Sequence, residues 1–240
     1  MMNRTSTKDN QNTGCTFCRS HHRSLFASLN DEDIARIDRG KTCTRYKKGQ
    51  VLFHEGTRPL GVFCVNSGRI KVYRVGMDGK EQITRISAAG DLLGYKALLS
   101  EHHYEQTAEA VDDCVVCFVA KEDFLSLLRP DSQFYMDLLK KVCEENSDMA
   151  DKMTRMAQQS VRQRLALSLI MLKDTYGIES GTDGEIEINL TREDLANIVG
   201  TATESLIRLL NEFKKEEFIE TKGRKIKVIN PEGLIGASRK

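Results

Sequence analysis

The residues of this chain with the clearest potential for molecular recognition are a carboxylate and a guanidinium four positions apart. Glu204 and Arg208 lie in a segment predicted to be helical, so they share one helix face. In the major groove of DNA, arginine can bond bidentately to guanine and glutamate can accept from cytosine N4. The pair could therefore address one G·C base pair or its neighbours. The same spacing also suits a surface salt bridge on an ordinary helix, so these two residues alone do not decide the matter.

The elements that would position this pair are two short helices joined by a tight turn. Thr191 is a suitable N-cap, Asp194 completes a pair resembling a capping box, and Gly200 can reverse the chain between the helices. The apolar residues recur at helical spacing, as Leu195, Ile198 and Val199 and then as Leu206, Leu209, Leu210 and Phe213. Thr203, Glu204, Ser205 and Arg208 are expected on the side left open for DNA.

A basic hairpin is predicted directly after the second helix, in residues 218–229 with the sequence FIETKGRKIKVI. Its tip carries Lys222, Arg224 and Lys225, which suit contacts with DNA phosphates. A solvated hairpin tip is the simpler alternative. Two helices, a glycine turn and a basic wing are together typical of a winged helix-turn-helix domain that binds double-stranded DNA.

Composition limits the remaining possibilities. The 240 residues carry 36 basic and 35 acidic side chains, so DNA affinity must come from local charge. No apolar run approaches the roughly 18 residues needed to span a bilayer, and the polar N-terminal segment lacks the core of a signal peptide. Seven cysteines without a secretory signal predict reduced thiols and a cytoplasmic protein. His54, His102 and His103 lack an accompanying nucleophile, so no enzyme is expected.

The first half of the chain has the sequence pattern of an antiparallel sheet domain. Glycine turns recur at roughly ten-residue intervals, which indicates a sandwich or barrel. Asp78-Gly79 between apolar alternating segments is a strong hairpin signal.

Residues 132–176 contain neither proline nor glycine and predict one long helix or two abutting helices. The first part of this helical segment shows a heptad pattern. One core position is taken by Tyr135, Val142, Met149 and Met156, and the other by Leu139, Asn146, Met153 and Ser160. We interpret the pattern as the seam of a parallel homodimer through residues 132–157. A helix packed on its own domain is the alternative.

The order of these elements, together with several motifs, resembles the CRP/FNR superfamily of transcription regulators. The motifs are KKGQVLFHEG, NSGRIKVYRV, DGKEQIT, AAGDLLGYKALL and LTREDLANIVGTATESLIRLL, and the texture is closer to the oxygen-sensing branch than to the cyclic-AMP branch. The resemblance implies an α+β fold with an N-terminal antiparallel β-roll of the cyclic-nucleotide-binding type, a dimerisation helix and a winged helix-turn-helix. The implied units are a tail with a Cys-x-x-Cys segment (1–24), a sensor domain (25–131), the dimerisation helix (132–157) and the DNA-binding domain (158–240).

The resemblance also implies roles for individual residues. Arg192 matches a phosphate-contacting position, and Glu204 and Arg208 match the residues that recognise a G·C pair in each half-site. RNA polymerase is a further candidate partner. The implied effector pocket contains Gly94, Tyr95, Gln106 and Thr107, with Tyr95 and Gln106 where cyclic-AMP binders have an acid and an arginine. A buried cyclic phosphate needs a cation, so tight binding of cyclic AMP is not expected.

The cysteines leave three hypotheses open. Cys15, Cys18 and Cys117 fall near three of the four positions that hold an iron–sulfur cluster in the oxygen-sensing branch, with Ser24 at the fourth. Cys15 and Cys18, followed by His21 and His22, could instead bind zinc. The simplest expectation is no cofactor, with the other cysteines as core residues. We therefore predict a dimeric, effector-switched regulator on a palindromic site. The alternative is a ligand- or redox-sensing module whose C-terminal domain docks protein.

Overall fold

The computed structural model describes Cys15 and residues 24–177 and 186–239. After a short 3-10 helix at Leu25–Ser28, the elements follow in this order: α1 (Asp31–Gly40), β1 (Thr42–Tyr46), β2 (Val51–Phe53), β3 (Gly61–Ser67), β4 (Ile70–Val75), β5 (Glu81–Ser87), β6 (Leu92–Leu93), α2 (Tyr95–Leu99), β7 (Thr107–Ala110), β8 (Cys114–Ala120), α3 (Lys121–Leu125), α4 (Gln133–Gln158), α5 (Val161–Gly177), β9 (Glu187–Asn189), α6 (Arg192–Val199), α7 (Thr203–Lys215), β10 (Ile219–Lys222), β11 (Lys225–Val228) and α8 (Pro231–Arg239).

Strands β1 to β8 form two four-stranded antiparallel sheets. One has the order β1-β8-β3-β6 and the other the order β2-β7-β4-β5. The predicted hairpin at Asp78-Gly79 joins β4 to β5, and Gly79 has a φ of +78°, a left-handed conformation that favours glycine. The predicted α+β class, with an antiparallel β-roll followed by a long helix and a helix-turn-helix, is confirmed.

The proline-free and glycine-free segment folds as two helices rather than one. Ser132 caps α4, since its hydroxyl accepts from the Tyr135 amide at 3.2 Å. The helix ends at Gln158, and Gln159 is extended with φ −99° and ψ 143°. α5 begins at Val161. The break at Gln159 and Ser160 gives the chain a joint between the long helix and the C-terminal domain.

The long helix α4 divides its apolar residues between two faces. Phe134 and Leu138 are buried, and Val142 packs against the same core of the β-roll. Leu139 and Met153 are exposed, at 43% and 68%. One predicted heptad position, the one with Leu139 and Met153, therefore faces outwards. At the other position, Val142 turns towards its own domain, whereas Met149 and Met156 are exposed, at 46% and 38%.

The C-terminal domain surrounds a three-stranded sheet of order β10-β11-β9 with helices α5 to α8. Its core continues into the β-roll, since Tyr73, Ile83, Ile86 and Val111 belong to the same buried cluster. The DNA-binding candidate is therefore packed on the sensor sheet. None of the described helices is both long and apolar enough to cross a lipid bilayer.

One pair of cysteines corrects the expectation of reduced thiols. Cys43 on β1 and Cys117 on β8 face each other in the antiparallel register and are joined in a disulfide. Directly opposite residues point to the same face of a sheet, which brings their side chains within bonding range. Sequence spacing could not reveal this, because 74 positions separate the two residues.

Candidate nucleic-acid interface

Helix α7 presents the predicted recognition residues on its outer side. Leu206, Leu209, Leu210 and Phe213 are buried. Glu204 and Arg208 are exposed, while Thr203 and Ser205 are half-buried beside them. Arg208 does not pair with Glu204. Its guanidinium contacts Glu212 at 3.1 Å, and its side chain remains 70% exposed. This contact is the weak kind that an exposed arginine can exchange for a base edge.

The start of α7 is open to an anion. Ala202 is the N-cap and has no side chain that could accept from the first-turn amides. By contrast, Thr191 caps α6 as predicted: its hydroxyl accepts from the Asp194 amide at 2.9 Å and donates to Asp194 Oδ2 at 2.6 Å. A DNA phosphate could therefore meet amide donors and the positive end of the dipole at α7.

The wing of β10 and β11 carries its basic residues outwards. Lys222 and Arg224 are exposed, and Lys225 forms an exposed ion pair with Glu187 of β9. Arg192 is half-buried and donates to the carbonyl of Gly223 at 2.9 Å and to that of Arg224 at 3.3 Å. Arg192 thus holds the turn of the wing, in addition to its expected role at a phosphate. Sequence reasoning missed this bracing contact, because its acceptors are backbone atoms.

A buried lysine ties the DNA-binding candidate to the sensor sheet. Lys71 on β4 lies 2.8 Å from Glu81, 3.5 Å from Glu109 and 3.2 Å from Asp194 of α6. Burial opposes the charge of Lys71, but the three carboxylates raise its pKa above the ordinary value. The amide of Gln82 also donates to the Asn197 carbonyl at 2.6 Å. No sequence signal pointed to this junction.

Arg164 fixes α5 against the turn between α6 and α7. Its guanidinium donates to the carbonyls of Val199 at 3.0 Å and Gly200 at 3.2 Å, and to that of Gln159 at 2.8 Å. One side chain therefore joins the break after α4 to the end of α6.

The predicted effector residues are only partly brought together. Gly94, Tyr95 and Gln106 line a cavity of about 1140 Å³ between the β-roll, α4, α5 and α6. Thr107 is not part of the lining. It is buried, and its hydroxyl accepts from the Glu55 amide at 3.0 Å. Tyr95 is buried, and this burial, with the nearby charge of Glu145, raises the pKa of its hydroxyl. Tyr95 and Gln106 thus contribute an aromatic ring and a neutral amide to the wall of the cavity.

The proposed metal ligands are not assembled among the described residues. Cys117 is bonded to Cys43, and Ser24 caps the first 3-10 turn by accepting from the Phe26 amide. Cys18 lies outside the described residues, as do His21 and His22. Within the part of the chain that is described, no three His, Cys, Asp or Glu side chains converge to hold a metal. A cluster held by four thiolates does not fit this arrangement.

Cys15 is the one proposed ligand that keeps its thiol in the described structure. It is buried, and the Lys41 ammonium donates to its sulfur at 3.3 Å. Burial raises its pKa to about 11, despite the opposing effect of Lys41.

Comparisons with known proteins match both halves of the chain. Residues 43–131 match the model of the cyclic nucleotide-binding domain, and residues 163–236 match the Crp-like helix-turn-helix domain. The fumarate and nitrate reduction regulatory protein of Vibrio cholerae is 27% identical over 224 residues, which cover 92% of this chain and 88% of that protein. Its counterpart from Escherichia coli K12 is 27% identical over 223 residues, with the same coverage of both chains.

Solved structures show the same fold. FixK2 from Bradyrhizobium japonicum has a TM-score of 0.72 at 22% identity, covering 82% of this chain and 96% of that one. A transcriptional regulator of the CRP/FNR family from Thermus thermophilus has a TM-score of 0.68 at 21% identity, covering 83% of this chain and 99% of that one.

Proposed function

The chain belongs to the CRP/FNR family of transcription regulators, and we propose that it binds a palindromic DNA site as a homodimer, with α7 of each protomer in the major groove. The observation that carries this proposal is the exposure of Glu204 and Arg208 above a fully buried apolar face. The two side chains can reach base edges without any change in the packing of α7.

The surrounding residues are assigned to the DNA backbone. Arg192, Lys222, Arg224 and Lys225 lie on the wing or brace its turn, where phosphates pass beside a helix in the major groove. Thr203 and Ser205, at the open start of α7, can donate to a phosphate or to a base. The alternative of a C-terminal domain that docks protein is not favoured, because the domain matches the Crp-like helix-turn-helix. RNA polymerase is proposed as a further partner at the promoter.

We assign dimerisation to the outer face of α4. Leu139, Asn146 and Met153 are exposed, and Cys143 lies between the first two on the same face. A repeat of three and four residues suits two parallel helices, and two-fold symmetry then brings each seam residue next to its own copy. The domain boundaries that we propose are therefore those expected from the sequence: the sensor at 25–131, the dimerisation helix at 132–157 and the DNA-binding domain at 158–240.

Oxidation of Cys143 tests this arrangement. We expect mild oxidant to produce a covalent dimer that reductant reverses, since in-register parallel helices hold paired seam residues within reach of a disulfide. Non-reducing electrophoresis measures the product, and the Cys143→Ser variant is the control that should stay monomeric on the gel. A protein that sediments as a dimer but forms no Cys143 cross-link would contradict the parallel seam.

The effector is proposed to act at the cavity beside the β-roll, and we expect that it is not cyclic AMP. Gln106 supplies no charge for a phosphate, and the buried Tyr95 stands where a ribose-binding acid is expected. A phosphate placed beside Gln106 would meet no positive charge from that side chain, and burying a phosphate charge unpaired costs several kcal/mol.

Calorimetric titration of the protein with cyclic AMP should therefore show no saturable heat at micromolar concentration. Dissociation in the micromolar range would contradict this expectation and would assign the cavity to cyclic nucleotides. The measurement is independent of DNA, so it tests the sensor without involving the interface.

A further inference from the structure

Three cysteines lie in one row across a sheet of the β-roll. Cys117 on β8 pairs with Cys43 on β1 at one side and with Cys64 on β3 at the other. β8 lies between β1 and β3 in the sheet, so Cys117 is the middle member of the row. Side chains of directly opposite residues point to the same face of a sheet. The three sulfur atoms therefore share one face, with Cys43 and Cys64 on opposite sides of Cys117.

The row contains one disulfide and one thiol. Cys43 and Cys117 are joined, whereas Cys64 keeps its thiol. Directly opposite residues of antiparallel strands have Cα atoms about 4.5–5.5 Å apart, which lies inside the range of about 4.4–6.8 Å that disulfides span. Cys64 is therefore also within bridging reach of Cys117.

The order of the three sulfur atoms suits thiol–disulfide exchange. In this reaction a thiolate attacks one sulfur of a disulfide and displaces the other. The attacking sulfur must enter from the side opposite to the leaving sulfur. Cys64 adjoins Cys117 on the side opposite to Cys43, so it stands in the direction from which this displacement proceeds.

The two ends of the row differ in their access to solvent. Cys64 and Cys117 are each only 2% exposed. Cys43 is half-buried on β1, the edge strand of the sheet, between the exposed residues Thr42 and Thr44. A bridge between Cys117 and Cys64 would thus lie inside the sheet, and the thiol left behind would lie at its edge.

We propose that Cys43, Cys117 and Cys64 form a thiol–disulfide exchange site, in which the bridge moves from Cys43–Cys117 to Cys117–Cys64 and releases the thiol of Cys43 at the sheet edge. The thiol of Cys64 loses its proton to water, and its sulfur bonds to the sulfur of Cys117. The bond between Cys117 and Cys43 breaks, and its electron pair stays on the sulfur of Cys43, which takes up a proton. One thiol and one disulfide are present before and after the step, so it needs no external oxidant or reductant.

The released thiol makes Cys43 a modification site for a low-molecular-weight disulfide. The thiolate of Cys43 attacks one sulfur of a compound such as oxidised glutathione, a mixed disulfide forms on Cys43, and the other half of the compound leaves as a thiol. Cys43 is the accessible sulfur of the row, since the other two are buried. The inference concerns the β-roll and does not depend on DNA binding.

The test maps the disulfides of the full chain after incubation with iodoacetamide, which marks the thiol of Cys43 irreversibly whenever the bridge moves. Acid then stops the exchange by protonating the thiolates, and peptides prepared without reductant are analysed by mass spectrometry. We expect molecules that carry the label on Cys43 and a bridge between Cys117 and Cys64. Cys43 without the label, or labelled only in molecules that lack this bridge, would overturn the inference.

Replacement of the attacking thiol gives a direct comparison. Cys64→Ala should lower the labelling of Cys43 by about tenfold or more, since alanine cannot attack a disulfide. Cys114→Ala is the matched control, because Cys114 is also a buried residue of β8 but lies three positions from Cys117 and points to the opposite face. It should leave the labelling unchanged. Equal labelling of Cys43 in Cys64→Ala and in the unaltered protein would contradict the exchange.

A variant at the sheet edge tests the same bridge without a substitution in the core. In Cys43→Ser the new hydroxyl can contact water, and Cys64 is then the cysteine that remains opposite Cys117. Mild oxidation should join Cys117 to Cys64 in this variant. Recovery of both residues as thiols, under conditions that restore the Cys43–Cys117 bridge in the unaltered protein, would show that the second bridge cannot form.

Oxidised glutathione in place of iodoacetamide tests the modification step. We expect glutathione on Cys43 in molecules that contain the bridge between Cys117 and Cys64. If iodoacetamide labels Cys43 but oxidised glutathione does not react there, the proposed modification by small disulfides is wrong.

Discussion

Replacing Lys71 by methionine is expected to lower the free energy of unfolding by about 3 kcal/mol, near the low end for breaking a buried ion pair. The side chain of Lys71 is only 9% exposed and lies among Glu81, Glu109 and Asp194. Methionine fills a similar volume but leaves three carboxylates together without a cation. The loss would fall on the junction between the sensor sheet and α6, since Asp194 belongs to that helix.

Urea unfolding measures this effect. Lys80→Met is the control, because Lys80 pairs with Asp78 through a side chain that is 82% exposed and should change stability little. A Lys71→Met variant as stable as the unaltered protein would contradict the assigned role of this ion-pair cluster.

Replacing Arg208 by alanine should weaken binding to the preferred DNA site by about 1–3 kcal/mol and relax the preference at one base pair of each half-site. The guanidinium is 70% exposed and pairs with Glu212 at the helix surface, so its removal should leave the fold of α7 intact. Lys225→Ala should behave differently, because a wing lysine contacts phosphates. We expect it to weaken all sequences alike and to lower the salt dependence by about one ion.

Arg208→Lys is the matched control for base recognition. Lysine keeps the positive charge but cannot form the planar bidentate contact with guanine. The salt dependence should therefore be retained while the base preference is lost, and retardation of labelled fragments over a series of salt concentrations measures both. If Arg208→Ala binds every fragment as the unaltered protein does, α7 does not contact base edges.

Local sequence patterns were sufficient to predict the elements that position the interface. The N-cap at Thr191 and the turn at Gly200, whose φ is +72°, follow from nearby residues alone. The helical spacing of the apolar positions likewise predicts the buried face of α7. Each of these features is decided within a few residues of chain, where the physical rules of helix ends and helix faces apply directly.

The contacts that join the elements could not be predicted in the same way. The pairing of Lys71 with Asp194 spans 123 positions, and its geometry depends on how α6 packs against β4 and β5. The same holds for Lys152, because none of its neighbours in the sequence indicates that its ammonium donates to carbonyls of β5. The sequence shows that Gln106 is uncharged, but which side chains lie across the cavity from it depends on how α4 packs on the sheet.

Selection of bound fragments from a random pool of duplex DNA tests whether a dimer of this protein reads base edges through α7. We expect a two-fold symmetric site with a G·C pair in each half and half-site centres separated by about one helical turn, some 34–36 Å. That G·C preference should disappear when the selection is repeated with Arg208→Ala. Recovery of no enriched sequence, or of a site without two symmetric halves, would contradict binding of a palindrome by the dimer.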